Sequence, residues 1–355
     1  MKILYLIGSL QGGGAERVAT RLCAEWSKRH YVVLASGDSI KNDFYEVDGR
    51  VERVSLGFSY TKENFFIERL CRVMRILKIY RSVSPDVVIA SCTDMSLLSL
   101  LSLVLCRSKI IVCEHNNYHA VRSKIKRICR IIIYRKARRL VLLTERDVVN
   151  YTSRLYPASK IVVMPNPLGI ENNRLVCREK DDVYRLLAVG RLTEQKAFDR
   201  LIELFPNIDS RCALTIVGEG PLREKLQNSI SNLGLAERVR LVGSTRNIED
   251  FYRKHGLLLM TSIYEGLPMV IGEANNFGVP VIAYDCPTGP RELISNGVNG
   301  YLVEDGNADE FCAVVNRVVE DFSAYKVVSE SSLINSNKYS IAELCRRWEA
   351  LFSDL

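Results

Sequence analysis

Two glutamates in the stretch "YEGLPMVIGEANNFGVPVIAYD" have a spacing that limits the chemistry they can do. Glu265 and Glu273 are separated by seven residues, and Pro268 between them suits the first turn of a helix. Eight helical steps would span ~12 Å, whereas the paired carboxylates of glycosidases lie about 5–9.5 Å apart. The spacing is therefore poorly suited to hydrolysis. It fits two contacts along an elongated ligand, with phosphate at the helix N-terminus between them.

Two basic side chains follow another predicted strand of the same half. In "GRLTEQK", Gly190 ends the strand, and Arg191 and Lys196 come after it. Cations at this position can neutralise a leaving diphosphate and stabilise the charge that develops on it. No D-x-D triplet occurs in the chain, which agrees with cations, rather than a bound metal ion, carrying the phosphate charge. We expect neither a metal ion nor another cofactor.

The first half carries a glycine loop and a histidine at comparable positions. The loop "GSLQGGGAERV" is no dinucleotide fingerprint, because Arg17 stands where the third glycine would be, and no P-loop, because Gly14 stands where the lysine would be. What remains is glycine backbone, at Gly13 and Gly14, at a helix N-terminus. We interpret Glu16 as a charge at that helix end. His115 follows the strand-like run "KIIVCE", so we expect it at the carboxyl end of a strand.

Apolar runs that alternate with amphipathic stretches predict the elements that carry these residues. Before residue 165 the runs are "KILYLI", "YVVLAS", "VERVSL", "DVVIAS", "KIIVCE", "RLVLLT" and "KIVVMPN". After residue 182 they are "YRLLAVG", "ALTIVG", "RVRLVG", "LLLMT", "VPVIAY" and "GYLV". Continuous Val/Ile/Leu runs separated by helical patterns are typical of parallel strands in an α/β sheet. The sequence predicts two doubly wound, Rossmann-like domains, with ligands beyond the carboxyl ends of their strands and a cleft between the domains.

Turn formers and charge between Pro165 and Asp182 predict the domain boundaries. We assign residues 1–165 to the first domain, 166–182 to a linker and 183–338 to the second domain. Residues 339–355 contain "SIAELCRRWEALFSDL", whose apolar spacing predicts a helix with Ser340 as its N-cap and Glu343 three residues later. We expect this helix to pack back toward the first domain.

Composition narrows the cellular setting. The first 165 residues hold 28 basic and 14 acidic residues, whereas the rest hold 21 and 27, so one half faces an anionic partner. Eleven scattered cysteines without a C-x-x-C pair favour reduced thiols in a cytoplasm. The N-terminal "MKILYLIGSL" is interpreted as a strand rather than a signal peptide. The longest apolar run, Leu97–Cys106, is too short to cross a bilayer.

The motifs together resemble those of a large enzyme family, the retaining GT-B glycosyltransferases of family 4, also called group 1. The resemblance covers nearly the whole chain and rests on "YEGLPMVIGEANNFGVPVIA", "GGGAERV", "CEHN", "MPNPL", "VGRLTEQKAFD", "IVGEGPLREKL" and "PTGPRELISNGVNGYLV". Their order and distances carry the resemblance, since the E-x7-E spacing alone is weak. It implies a GT-B architecture and catalysis without a bound metal ion.

The resemblance also implies roles for individual residues. Glu265 would contact the hydroxyls of the donor sugar, Glu273 would bind the nucleotide ribose, and Arg191 and Lys196 would hold the donor phosphates. His115 would contact the donor sugar near the reaction centre. Further donor contacts are expected at Gly218, Gly220, Asn247, Ile248, Gly266, Leu267 and Pro268. Gly13 and Gly14 would lie near the acceptor, and Glu292 near the donor pocket.

Two basic segments of the first half could contact a membrane. Arg122–Arg139 holds nine basic residues and no acidic one, with Ile125, Ile128, Cys129, Ile132 and Ile133 at helical spacing. Glu63–Arg81 is similar, with Phe65, Phe66, Leu70, Val73 and Leu77 apolar. Such helices suit an anionic lipid surface; the alternative is that their apolar stripes pack on the sheet. Nucleic acid is disfavoured, because no aromatic stacking platform accompanies the charge.

These features predict a retaining hexosyltransferase. It would move a hexose or N-acetylhexosamine from a nucleotide diphosphate sugar, with UDP favoured, to a lipid-linked or lipopolysaccharide (O-antigen) acceptor in bacterial surface polysaccharide biosynthesis. We expect it in the cytoplasm, bound peripherally to the inner membrane. The alternatives are a nucleotide-sugar epimerase of the same architecture and a non-catalytic protein that binds membranes or nucleotide sugars.

Overall fold

The chain forms two compact units in a computed structural model that describes residues 1–58, 65–106, 108–121, 123–153, 156–168 and 183–355. One unit comprises Met1–Gly169 together with Ile341–Leu355, and the other comprises Ile170–Ser340. The predicted linker lies almost entirely outside the described residues. Its described start belongs to the first unit, where Asn166 and Leu168 are buried.

The first unit is built on a sheet of seven parallel strands. They are β1 (Lys2–Ile7), β2 (Tyr31–Ser36), β3 (Glu52–Ser55), β4 (Val87–Ser91), β5 (Ile110–Cys113), β6 (Arg139–Leu142) and β7 (Ile161–Val163). Their order in the sheet is β3-β2-β1-β4-β5-β6-β7. The helices of this part are α1 (Gly14–Trp26), α2 (Phe65–Val83), α3 (Thr93–Ser102), α4 (Lys124–Ile133) and α5 (Glu145–Thr152). Short 3₁₀ turns lie at Ile40–Asn42, Tyr118–Ala120, Tyr134–Lys136 and Ala158–Lys160.

The second unit is built on a sheet of six parallel strands. They are β8 (Tyr184–Val189), β9 (Cys212–Val217), β10 (Val239–Gly243), β11 (Leu257–Met260), β12 (Val281–Tyr284) and β13 (Gly300–Val303), in the order β10-β9-β8-β11-β12-β13. Its helices are α6 (Phe198–Leu204), α7 (Arg223–Asn232), α8 (Glu249–Lys254), α9 (Met269–Asn276), α10 (Pro290–Leu293), α11 (Ala308–Glu320) and α12 (Phe322–Ser336). Short 3₁₀ turns lie at Phe205–Asn207 and Asn337–Tyr339.

The predicted fold class is confirmed, because every apolar run named above contains or overlaps one of these strands. The central strands are covered on both faces. All five residues of β4 and all four of β11 are buried, as expected for parallel strands between layers of helices. Consecutive parallel strands are joined by crossovers, which gives both units the doubly wound, Rossmann-like topology.

Strand order locates the place in each sheet where a ligand is expected. The order reverses direction between β1 and β4 in the first sheet, and between β8 and β11 in the second. Loops that leave such a pair of neighbouring strands diverge to opposite faces of the sheet and open a crevice at its carboxyl edge. The glycine loop follows β1, "GRLTEQK" follows β8, and Glu265 lies in the turn after β11.

Helix α13 (Ile341–Ser353) packs within the first unit, against α1. Trp26 is fully buried there, with the rings of Trp348 and Phe352 at centroid distances of 5.7 and 5.3 Å. Aromatic edge-to-face contacts of this kind add to a large area of apolar burial. The C-terminal segment therefore completes one face of this core.

One helix is shorter than its periodicity predicts. Within the segment Arg122–Arg139, α4 ends at Ile133 and continues as the 3₁₀ turn Tyr134–Lys136. Tyr134 is fully buried, so its packing ends the regular helix. In the described parts of the chain, we find no helix with the length and apolar character needed to traverse a bilayer.

Candidate functional site

Lys196 and Glu265 meet at the switch point of the second sheet. The Lys196 ammonium lies 2.6 Å from Glu265 Oε1, and the glutamate is buried while the lysine is only slightly exposed. These residues stand 69 positions apart and follow β8 and β11, the two strands between which the order reverses. A buried carboxylate is tolerated because the ammonium compensates its charge. The pair places one cation and one carboxylate at the carboxyl edge of the sheet.

The backbone of Glu265 is held by the "PTGP" loop. From the sequence, this loop contributed only to the family resemblance. The Thr288 hydroxyl donates to the Glu265 carbonyl, and the Glu265 N–H donates to the Pro287 carbonyl at 3.4 Å. Thr288 has a positive φ of 62°, unusual for a non-glycine residue. At Gly289, with φ of 92°, a Cβ would lie 2.7 Å from the Gly266 carbonyl oxygen. We call these contacts of the Thr288 hydroxyl and the Pro287 carbonyl with Glu265 the Thr288 clamp. The sequence indicated only a turn at this place.

Glu273 lies on α9 and is also buried. The Tyr252 hydroxyl donates to Glu273 Oε2 at 3.0 Å, inside the same unit. Helix α9 begins at Met269, so Pro268 is its N-cap; the prediction that Pro268 occupies the first turn was wrong by one residue. The reason is that Pro268 has φ −73° and ψ 95°, an extended conformation rather than a helical one. Glu273 remains more than one turn inside the helix, and the N-terminus of α9 lies between the two glutamates in sequence.

Close packing of two loops explains why glycine is required at positions 218 and 220. A Cβ on Gly218 would lie 1.9 Å from the Gly190 carbonyl oxygen, and a Cβ on Gly220 would lie 2.4 Å from the Leu192 carbonyl oxygen. Gly218 has a φ of 153°. The loop after β9 therefore lies directly on the loop after β8 that leads to Arg191 and Lys196. Donor contact by these glycines stays a prediction beside this structural role.

The remaining predicted donor residues lie at loop surfaces of the second unit. Arg191 is exposed directly after β8. Asn247 is exposed and donates to Asp250 Oδ2 at 2.7 Å, and Ile248 caps α8. Gly266, Leu267 and Pro268 are buried in the turn that follows Glu265. The partly exposed Glu292 accepts a hydrogen bond through its main-chain carbonyl from Tyr339 at 3.1 Å.

His115 follows β5 in the first unit and has an unusual environment. The residue as a whole is partly exposed, but both ring nitrogens are buried and make no hydrogen bond of good geometry to the described residues. Burial lowers the pKa of His115 to about 4, and nearby Asn166 opposes this only in part. The imidazole is therefore neutral at physiological pH. A buried polar group without a partner requires an explanation, and a ligand hydroxyl would supply one.

The lowered pKa predicts a pH dependence of stability. Between pH ~4 and ~6.5 the unfolded chain binds a proton at His115 that the folded chain does not bind, so the free energy of unfolding should decrease as pH falls through this window. Between about pH 7 and about pH 4.5, the free energy of unfolding should decrease in the wild type by roughly 1–3 kcal/mol more than in the His115→Asn variant. Urea unfolding of both proteins at the two pH values measures this. Parallel losses would show that His115 titrates normally.

The glycine loop of the first unit borders an open cavity of about 450 Å³. Gly8, Ser9 and Glu16 line it on one side, and Thr93 and Lys126 on another. The cavity lies at the carboxyl ends of β1 and β4, the switch point of the first sheet. It mixes carboxylate, hydroxyl, ammonium and apolar groups, a composition that suits a polyhydroxylated ligand.

Gly13 and Gly14 lie next to this cavity rather than among its lining residues. Gly13 is the N-cap of α1 and Gly14 is the first residue of the helix. A Cβ on Gly13 would lie 2.3 Å from Glu16 Oε2, whereas a Cβ on Gly14 would meet nothing within 4 Å. Glu16 lies in the first turn of α1 and accepts a hydrogen bond from Ser9 at 3.3 Å. The absence of a side chain at Gly13 therefore makes room for the Glu16 carboxylate.

Models of known protein families match both halves of the chain. The model of Glycosyltransferase Family 4 matches residues 12–171, and the model of Glycosyl transferases group 1 matches residues 169–332. The amylovoran biosynthesis glycosyltransferase AmsD of Erwinia amylovora is 31% identical over 99% of this chain and 99% of its own length. A Campylobacter jejuni enzyme described as GalNAc-alpha-(1->4)-GalNAc-alpha-(1->3)-diNAcBac-PP-undecaprenol alpha-1,4-N-acetyl-D-galactosaminyltransferase is 25% identical over 100% and 99%.

Solved structures give the same architecture. The crystal structure of Anabaena Alr3699/HepE in complex with UDP and glucose superposes with a TM-score of 0.84 at 18% identity, over 100% of both chains. At this level of identity the match shows the fold, two Rossmann-like domains of GT-B type.

Proposed function

Because the chain belongs to the family 4, group 1 glycosyltransferases, as the match to AmsD over nearly its whole length shows, we propose that it transfers a hexose or N-acetylhexosamine from UDP-sugar with retention of configuration. The observation that carries the proposal is the buried Lys196–Glu265 pair at the switch point of the second sheet. It joins a cation for the diphosphate to a carboxylate for the sugar. The solved structure with UDP and glucose supports UDP as the nucleotide.

In this proposal the second unit binds the donor. Lys196 and the exposed Arg191 neutralise the diphosphate and stabilise the charge that develops as the glycosidic bond breaks. Glu265 accepts hydrogen bonds from the sugar hydroxyls, and Glu273 from the ribose, since a carboxylate is a strong acceptor of such bonds. Lys196 and Arg191 thus neutralise the diphosphate without a metal ion, a role that a divalent cation has in other transferases. The departing diphosphate takes up the acceptor proton on the same face of the sugar, so no protein nucleophile is required.

The first unit binds the acceptor and contributes His115. Because the neutral imidazole has buried nitrogens that make no hydrogen bond of good geometry to the described residues, it can hydrogen-bond a sugar hydroxyl without introducing charge. The cavity beside the glycine loop is the acceptor site in this proposal. The acceptor is a lipid-linked oligosaccharide or a lipopolysaccharide, in line with the undecaprenol-linked acceptor in the printed name of the Campylobacter jejuni relative.

A thermal-shift screen against nucleotide sugars, followed by turnover, tests the donor assignment. A true donor stabilises the folded chain by mass action, by about 2.7 kcal/mol at a concentration of 100 times its Kd. We expect UDP-sugars to raise the melting temperature and GDP- or ADP-sugars not to. NMR of the product should show the anomeric configuration of the donor. An epimerised nucleotide sugar formed without acceptor would instead support the epimerase alternative, which the relatives reported above do not favour.

We also propose that a surface of the first unit binds the inner membrane from the cytoplasmic side. Helices α2, α3 and α4 pack side by side. The outward apolar side chains of these helices and of the turn after α3 are Ile67, Leu70, Met74, Leu101, Val104, Leu105, Ile125, Ile128 and Ile132, and we call this set the apolar surface. Exposed cations near it include Lys124 and Lys126. Cations beside outward isoleucines fit an anionic lipid bilayer, which takes up both kinds of group.

Flotation with anionic liposomes tests the apolar surface. Burying one isoleucine contributes about 1.5–3 kcal/mol, so Ile128→Asp should weaken binding at least ~10-fold at low salt. Ile334→Asp is the matched control, because Ile334 is 71% exposed on α12 in the other unit; it should float as the wild type does. Equal flotation of wild type and Ile128→Asp would remove the membrane proposal and leave the donor assignment intact.

A further inference from the structure

Helix α4 is attached to its unit in an unusual way. Amphipathic helices normally bury an apolar stripe, but the isoleucines 125, 128 and 132 of α4 are 74%, 58% and 61% exposed. Its fully buried residue is Arg130, which the sequence analysis counted among the cations of a basic face. That placement of Arg130 was wrong, because helical periodicity fixes which residues share a face but not which face turns inward.

The Arg130 guanidinium lies in a polar and aromatic cage. It stacks over the Tyr118 ring at 4.1 Å from the centroid and lies 5.2 Å from that of Tyr151. One of its nitrogens donates to the Tyr118 carbonyl at 2.8 Å, and another lies 3.8 Å from Glu114 Oε1. Burial of a charge is costly unless it is compensated, so Arg130 depends on these rings and on the Glu114 carboxylate.

Glu114 joins this cage to the candidate site. Its carboxylate is buried and accepts hydrogen bonds from the Thr93 hydroxyl, at 3.0 Å to each oxygen, and from the Tyr134 hydroxyl. Burial raises the pKa of Glu114, and Arg130, Tyr134 and Thr93 act in the opposite direction. Thr93 opens α3 and lines the acceptor cavity. Glu114 therefore ties α4 to that cavity.

Glu114 also precedes His115 directly. The His115 imidazole has no hydrogen bond of good geometry to the described residues, so its position depends on its backbone and on packing. The adjacent residue Glu114 is anchored by the hydrogen bonds of its carboxylate to Thr93 and Tyr134, and the Asn166 side chain lies near the imidazole. Movement of Glu114 would therefore displace both the His115 ring and the start of α3.

We propose that Glu114 and Arg130 are positioning residues, whose buried pair holds His115 and the N-terminus of α3 in register with the lipid-facing helix α4. The inference rests on the proposed function, since it assigns His115 and the cavity of the first unit to sugar binding. Neither residue touches the substrate. The pair gives an enzyme that works at a membrane a rigid connection between the helix that meets the lipid and the groups that meet the acceptor.

Glu114→Gln and Arg130→Met test the inference, with Glu349→Gln as the matched control. Glu349 is a partly buried glutamate of the same unit that pairs with Arg29 at 3.0 Å and with His30 at 3.2 Å. A displacement of about 1 Å can cost ~10²-fold in rate. We therefore expect both test variants to lower kcat or raise the acceptor KM at least ~10-fold, with the donor KM unchanged. Glu349→Gln should lower thermal stability without changing either constant per folded molecule.

A double variant and a spectroscopic measurement complete the test. Residues of one network show non-additive effects, so Glu114→Gln with Arg130→Met should cost little more than either alone. The chain has four histidines, so the imidazole NMR signals of His115 can be assigned with His115→Asn. They should shift in both test variants and stay in place in Glu349→Gln.

The outcomes separate this inference from the proposed function. Unchanged His115 signals, or unchanged kinetic constants in a folded Glu114→Gln, would overturn the positioning role. A wild-type chain that transfers no sugar from any UDP donor would overturn the proposed function, while the NMR signals would still report whether Glu114 positions His115.

Discussion

Replacing Lys196 with alanine should abolish sugar transfer while both units stay folded. The ammonium lies against Glu265 at 2.6 Å, at the point where we place the leaving diphosphate. Removal of one preorganised group that stabilises developing charge costs about 10²–10³-fold in kcat, and here the group carries a full charge. We expect initial rates with the UDP donor to fall at least ~10³-fold.

A surface lysine of the same unit provides the control. Lys225 is 63% exposed and reaches Asp199 only at 3.5 Å, so Lys225→Ala should keep the wild-type rate. Circular dichroism and the melting temperature of both variants separate chemistry from folding. Because Glu265 loses its partner, Lys196→Ala should also melt at a lower temperature than Lys225→Ala. Wild-type turnover in purified Lys196→Ala would refute the diphosphate assignment.

Replacing Glu273 with glutamine should weaken donor binding with little effect on the fold. The amide oxygen of glutamine can still accept the hydrogen bond that Tyr252 donates at 3.0 Å. What is lost is the negative charge, and hydrogen bonds to charged groups contribute about 1.5–3 kcal/mol. We expect UDP affinity to fall roughly 10–100-fold, with loss of the UDP-induced thermal shift.

Glu224→Gln is the matched change for this experiment. Glu224 is an exposed glutamate in the first turn of α7, so its substitution removes one negative charge from the same unit without touching α9. Isothermal titration with UDP compares the two variants and the wild type. If Glu273→Gln and Glu224→Gln bind UDP equally well, Glu273 does not contact the nucleotide. Glu273→Ala should abolish transfer, since it removes the whole group that accepts hydrogen bonds from the ribose.

Local sequence was sufficient to predict the strands and the fold class. Runs such as "DVVIAS" and "LLLMT" are short, apolar and rich in β-branched or aliphatic residues, and the strands β4 and β11 lie within them. Their alternation with helical patterns leaves few arrangements other than parallel sheets covered by helices. The motif order also pointed to the glycosyltransferase family, which the comparisons confirmed.

The contacts that assemble the candidate site were beyond the reach of local patterns. The Lys196–Glu265 pair and the Thr288 clamp join residues 69 and 23 positions apart. Such contacts depend on which strands become neighbours and on the conformation of the loops after them. Lys196 and Glu265 were predicted from separate motifs, and no role was predicted for Thr288. A threonine with positive φ leaves no signal in composition or periodicity.

The amino-acid sequence by itself determined the strands of the described residues, the two-unit α/β organisation and the family, because each follows from short-range propensity or from ordered motifs. Tertiary structure alone decided that Arg130 is buried while Ile125, Ile128 and Ile132 of α4 face outward, and that Lys196 neutralises Glu265. The physical reason is that burial and ion pairing depend on partners far along the chain. A periodic pattern specifies which residues share a face of a helix. Whether that face is buried or exposed depends on the neighbours that pack against it.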